Sequence, residues 1–141
     1  MVLALLAVLA AVGISQFVNF GTDAKIAVTT EKLIAFKAAI VGDARLVSAG
    51  QLSKPGYLID CLGVPDLLSD LVAMPGSGTC SVAYDPFLKQ GWRGPYVSDT
   101  DPNYSTDAWG QPIWYDKVGR TITSRGPDQV LGTGDDIVIS F

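Results

Sequence analysis

Hydrophobic residues fill the start of the chain without interruption. Residues 1–14 read MVLALLAVLAAVGI and contain neither a charge nor a hydrogen-bonding side chain. Coiled as a helix, this run spans about 21 Å, short of a hydrocarbon core about 30 Å thick. Polarity then enters with Ser15, Gln16, Asn19, Thr22, Asp23 and Lys25. Apolar residues recur at Ile26, Leu33 and Ile40, with Thr30, Ile34, Lys37, Val41 and Ala44 beside that seam. Near-heptad spacing on one face is the mark of an amphipathic helix. No proline occurs before Pro55. The pattern therefore predicts one helix from about residue 2 into the high forties, with Gly13 and Gly21 as points where it can bend. Its front is apolar all round; its second part carries a single greasy stripe.

An apolar front of that kind has to be buried, in lipid or among copies of itself. A cleaved secretory signal fits the length, but no basic residues precede the run and no small-x-small site with a break follows it. The segment is expected to be retained. Beyond Ala49 the texture changes to turns around Gly50 and Lys54-Pro55-Gly56, then a short apolar stretch at 57–59. Residues 66–74 suggest a short helix, approached by Pro65, capped by Asp66 and stopped by Pro75-Gly76. The only two cysteines, Cys61 and Cys80, flank it. They pair in one way only, and an exported chain meets oxidising conditions. A disulfide is the favoured reading, ahead of two buried free thiols or a two-cysteine metal site, which lacks both histidine and CxxC spacing.

The C-terminal half is rich in turns and β formers. Residues 113–115, 120–124 and 137–141 read as three short strands separated by turn signals at 116–119 and 126–134, hence an antiparallel meander. A long helix laid against a small antiparallel sheet is an α+β fold.

Composition narrows the chemistry. The chain has 141 residues, 14 acids against 10 bases, and no histidine. One domain can form a core at this length. The net charge of −4 argues against nucleic acid as a partner. Without histidine the commonest general base and the Ser-His-Asp triad are both missing. The single glutamate, Glu31, falls on the long helix. No catalytic set emerges, and the protein is not expected to be an enzyme.

Two acidic clusters remain. Asp99, Asp101, Asn103, Ser105 and Asp107 match the early ligand positions of a calcium loop, but Tyr104 stands where the glycine is needed and Gly110 where the closing glutamate belongs. A solvated loop is the better reading. In the second cluster, at 126–136, Asp128, Asp135 and Asp136 are interleaved with Gly126, Gly132 and Gly134. Calcium wants six to eight oxygens, and a glycine-rich turn can aim carbonyls inward. An ion-free Asp/Gly turn fits the spacing as well.

Taken in order, these segments resemble the type IV pilin-like superfamily, most closely the major pseudopilins of bacterial type II secretion. The resemblance is carried by the apolar-then-amphipathic front ending near Ser15-Gln16-Phe17 and by Leu67-Leu68-Ser-Asp-Leu71-Val72. It continues through Trp92-Arg-Gly-Pro-Tyr96, Asp107-Ala-Trp109-Gly-Gln-Pro112-Ile-Trp-Tyr115, and Ser124-Arg-Gly-Pro-Asp128 leading to Gly132-Thr-Gly-Asp135-Asp136-Ile137. It implies a spine-like helix packed on a small antiparallel sheet. Residues 1–20 become the membrane and filament-core part, and 21–141 a periplasmic globular domain. It implies self-assembly together with other pseudopilins or minor pilins, from the bacterial inner membrane into a periplasmic or cell-surface filament. The filament core would be built from Leu3, Leu5, Leu6, Val8, Leu9, Val12, Ile14 and Phe17. It also implies a structural calcium held by Asp128, Asp135 and Asp136 with the carbonyls of Leu131 and Thr133.

The sequence departs from that family in two places. A pilin front carries an acidic residue near its processed N-terminus; residues 1–14 have none, and the apolar run is about six residues short, so Met1 reads as lying inside the mature helix. The Cys61–Cys80 pair is commoner in pilus pilins, which keeps a type IV pilus subunit as the alternative. A membrane-tethered periplasmic binding domain is a third class: it needs the helix and export but no self-assembly.

Overall fold

The computed structural model describes residues 2–48, 51–78, 80–98 and 103–141, with side chains described from residue 20 onward except at 47–48 and 51–52. The chain is α+β. Helix α1 runs over Val2–Val41 and is followed by a two-stranded hairpin, β1 (Val47–Ser48) and β2 (Gln51–Leu52). Next come a short helix α2 (Tyr57–Cys61), a 3-10 turn at Leu68–Leu71, and the strands β3 (Trp114–Asp116), β4 (Thr121–Ser124) and β5 (Ile137–Ser140). The last three form an antiparallel sheet in the order β3-β4-β5, with Tyr115 opposite Ile122 and Ile122 opposite Ile139. One face of α1 lies on β4, β5 and α2.

The greasy stripe on α1 does what its spacing implies. Leu33 and Ile40 are fully buried and Ile26 is half-buried. Thr29 and Phe36, 0% and 1% exposed, are buried beside them, though they lie off the Ile26-Leu33-Ile40 seam. Ile34 faces outward, 41% exposed. Leu33, Phe36, Ala39 and Ile40 form the core with Tyr57, Leu68, Leu71, Ile113 and Ile122. Burial pushes the Tyr57 hydroxyl up to about 12, helped by the charges of Asp70 and Asp66.

The helix stops at Val41, not in the high forties. Gly42 takes φ +94 and donates its N–H to the Ala38 carbonyl at 2.8 Å, the left-handed glycine ending that terminates many helices. The chain then turns through Asp43, whose Oδ1 accepts the Arg45 N–H at 3.0 Å. Gly56 brings α2 against this end of α1: a Cβ there would meet the Gly42 nitrogen at 2.3 Å and the Ile40 carbonyl oxygen at 2.5 Å.

The expected 66–74 helix shrinks to the 3-10 turn, and Asp66 does not cap it. Instead Asp70, 7% exposed, turns its Oδ2 back onto the N–H groups of Asp66 and Leu67, both at 3.0 Å. The Leu71 carbonyl is taken by the Tyr96 and Val97 N–H groups. The favoured disulfide is present: Cys61 and Cys80 are bonded, and both are buried.

Candidate functional site

Three features have the residue types for function: the loop before β5, a buried aspartate cluster at the far end of α1, and the outer surface of α1.

The loop joins β4 to β5 and is folded back on itself. Gly126, at φ +64, sits where a Cβ would meet the Asp135 carbonyl oxygen at 2.1 Å, so only glycine fits. The three sequence-predicted carboxylates are brought into this loop, and each accepts hydrogen bonds from it. Asp128 Oδ1 accepts the Val130 N–H at 2.8 Å. Asp135 Oδ2 accepts the Asp128 N–H at 3.0 Å, and its Oδ1 lies 2.7 Å from the Thr133 hydroxyl. Asp136 Oδ2 accepts the Gly132 N–H at 2.7 Å. The Thr133 hydroxyl and the Asp128 N–H hold the Asp135 carboxyl below the usual range. Asp136 Oδ1 is buried without a hydrogen-bond partner.

The donor chemistry, all oxygen, suits a hard cation such as calcium. The geometry is less complete. Among the described residues no group of three His, Cys, Asp or Glu side chains is placed to hold a metal ion. Leu131 and Thr133 are exposed. As described, the carboxylates brace the turn.

Asp107, from the first acidic cluster, is not solvated. It is 5% exposed and its Oδ1 accepts the Trp109 and Gln111 N–H groups at 2.9 and 2.8 Å. Its Oδ2 accepts the Ser124 hydroxyl at 2.7 Å, tying the 103–112 loop to β4. Thr29 accepts the Ala108 N–H at 3.2 Å, and Lys32 Nζ donates to the carbonyls of Asn103 and Thr106 at 2.9 and 2.8 Å. Together these clamp that loop to the middle of α1. Asp99 and Asp101 lie outside the described residues.

At the far end, Asp60 on α2 is 2% exposed. Its carboxylate accepts Arg93 Nε and Nη2 at 3.0 and 2.5 Å and the Tyr96 hydroxyl at 3.0 Å. Burial works against the charge on Arg93, but the Asp60 carboxylate more than offsets it and holds the guanidinium pKa up. Burial likewise pushes the Tyr96 hydroxyl up. The Arg93 guanidinium lies 4.5 Å from the Tyr84 ring centroid. This is a satisfied ion pair. Arg93 and Tyr96 stood in the motif Trp92-Arg-Gly-Pro-Tyr96, but nothing in the sequence tied Asp60 to them.

The outer face of α1 is the third feature. Phe20, Asp23, Ala24, Ala27, Val28, Glu31, Ile34 and Ala35 recur at three- and four-residue steps and are all exposed, so they share one side of the helix. The domain covers α1 on the opposite side, from Thr29 onward; between 20 and 28 only Thr22 and Ile26 are even half-buried. The predicted filament-core residues Leu3, Leu5, Leu6, Val8, Leu9, Val12, Ile14 and Phe17 fall on helical backbone, with side chains outside the described residues. Among the described residues no helix is long and apolar enough to cross a membrane.

No known family, no curated protein and no solved structure matches this chain.

Proposed function

We propose that the chain is a structural subunit of a type IV pilus-like filament, most closely the major pseudopilin of a type II secretion system, with pilin-like packing of helix on sheet. The observation that carries this reading is α1 itself. It is 40 residues long, and over residues 20–41 its own domain covers one face of it. The apolar residues exposed on the other face, and a front whose sequence is apolar all round, call for partners of the same kind or for lipid. Before assembly the front would sit in the inner membrane; afterwards it would lie among the fronts of neighbouring copies. The role is structural and needs no catalytic group. The disulfide favours a pilus pilin as the second reading.

The test is assembly of the full chain. Membranes from cells producing it, sheared and centrifuged, are expected to release filaments visible by electron microscopy and composed of this protein. Release only as detergent-soluble monomer would leave a membrane-tethered binding domain instead.

Calcium belongs to the same proposal. It rests on the resemblance and on the oxygen donors of Asp128, Asp135 and Asp136. When bound, the ion would neutralise the clustered carboxylates and pin the loop that leads into β5. Ligand binding to the native state alone raises stability by mass action, by about 2.7 kcal/mol at a hundredfold excess over Kd. For a domain of this size that is a melting shift of roughly 5–10 °C. The shift should appear between calcium and chelator in the native protein and vanish in Asp136→Ala. Identical melting curves in the two buffers would remove the ion.

A further inference from the structure

We propose that the hairpin tip formed by Phe87, Leu88 and Lys89 docks on the outer face of helix α1 of a second copy of this chain, an inference that rests on the filament reading. The tip is built to project. The Asp85 N–H donates to the Gln90 carbonyl at 2.7 Å and the Gln90 N–H to the Asp85 carbonyl at 3.3 Å. Asp85 Oδ1 accepts the Phe87 and Leu88 N–H groups at 2.7 and 3.2 Å, so that carboxylate is used up inside the turn. Gly91, at φ +114, lets the hairpin close against the Ala83 carbonyl. The result is a rigid turn that holds Phe87 94% and Leu88 70% exposed, with exposed Lys89 next to them. Core packing does not require two large apolar side chains there. A preorganised apolar tip loses little conformational freedom on binding.

Charge and position select the partner surface. The outer face of α1 offers Phe20, Ala24, Ala27 and Val28 together with the acids Asp23 and Glu31, Lys25 and Lys37 standing on its flanks. An apolar surface with net negative charge complements an apolar tip that ends in a lysine. The two surfaces are offset along the molecule. The hairpin is tied through the Gly91 N–H to the Asp60 carbonyl on α2, and α2 abuts the C-terminal end of α1 at Ile40 and Gly42. Phe20 lies 21 residues earlier along the helix, about 32 Å away at 1.5 Å per residue. Two different, complementary patches on one molecule make a heterologous contact, which propagates as an open helical array where its rotation does not close a ring. One aromatic tip buries only on the order of 200 Å², against about 800 Å² per partner in a stable pair. The contact therefore acts only alongside association of the α1 fronts, and the full chain is the material to test.

In filaments of the full chain, p-benzoylphenylalanine in place of Phe87 is expected to photocrosslink to residues 20–35 of a second copy, identified by mass spectrometry of the linked peptides. The F87S/L88S variant, unchanged in melting temperature because both side chains are exposed, is expected to raise the concentration needed for pelletable filament about tenfold or more. Crosslinks to any other segment, to another protein or to lipid, or no crosslink at all, overturn the proposal. So does wild-type assembly by F87S/L88S. If the wild-type chain itself never pellets as filament, the filament reading falls with it. If wild-type filaments form without the crosslink, only this contact is lost.

Discussion

Asp60→Ala is expected to cost about 3–5 kcal/mol, the range for leaving one member of a buried ion pair without its partner. Asp60 is 2% exposed and Tyr96 is half-buried behind it. The substitution leaves the Tyr96 hydroxyl and two Arg93 donors without their acceptor. The Arg93 side chain is 41% exposed and regains some water, which puts the loss at the lower end of that range. For a domain of this size roughly 3 kcal/mol is a melting shift of about 6–12 °C. Asp60→Asn keeps the shape and one acceptor oxygen, and should lose about half as much. A double-mutant cycle with Arg93→Met separates the pair from the packing around it. If Asp60→Ala and Arg93→Met losses simply add, the carboxylate is not acting through Arg93.

The position of Asp60 shows where reading the sequence ran out. The apolar seam Ile26-Leu33-Ile40 was legible because burial on a helix recurs at three and four residues, and the three strands were legible to within about one residue of their ends. Thr29 and Phe36, buried on the same side of the helix, lie off that seam. Thr29 is polar, and its burial depends on donors from a loop 79 residues away. The sequence predicts too long a helix because Val41 and Ala44 continue its pattern and no proline interrupts it before Pro55, whereas Gly42 ends it by backbone conformation. In the sequence Asp107 belongs to a polar loop, Asp70 is one position of a short helix and Asp60 stands out in no way, because a lone aspartate is usually a turn former, a cap or a solvated group. Their burial is decided by partners that the fold brings near: Arg93 for Asp60, and Ser124 for Asp107. The loop at 126–136 was legible as an acidic glycine turn. The direction of each carboxylate within it was not, since one residue of rotation decides whether an oxygen meets a backbone N–H or a cation.

Breaking the Cys61–Cys80 bond should produce the second large loss. The residues are 19 apart, and closing a loop of that length is worth about 3 kcal/mol in the chain-entropy model. The loop is not idle chain. It carries Leu68 and Leu71, 9% and 0% exposed, and the Leu71 carbonyl that accepts the Tyr96 and Val97 N–H groups. It also carries Asp70, whose main-chain carbonyl accepts the Trp92 indole N–H at 2.9 Å. Cys61→Ser/Cys80→Ser is therefore expected to lower the melting temperature by about 6–12 °C and to admit protease first at residues 73–78, which are nearly all exposed. Because Asp60 and Cys61 are neighbours on one short helix, the two perturbations share a structure. Once the bridge is gone α2 is held by Tyr57 in the core and by the Asp60 pair, so Asp60→Ala should cost more in the serine variant than in the disulfide-bonded chain. The sign of that coupling is the informative quantity. Strict additivity would mean that the bridge acts on the unfolded chain alone. A larger combined loss would mean that it also holds α2, and with it the hairpin that presents Phe87, in place.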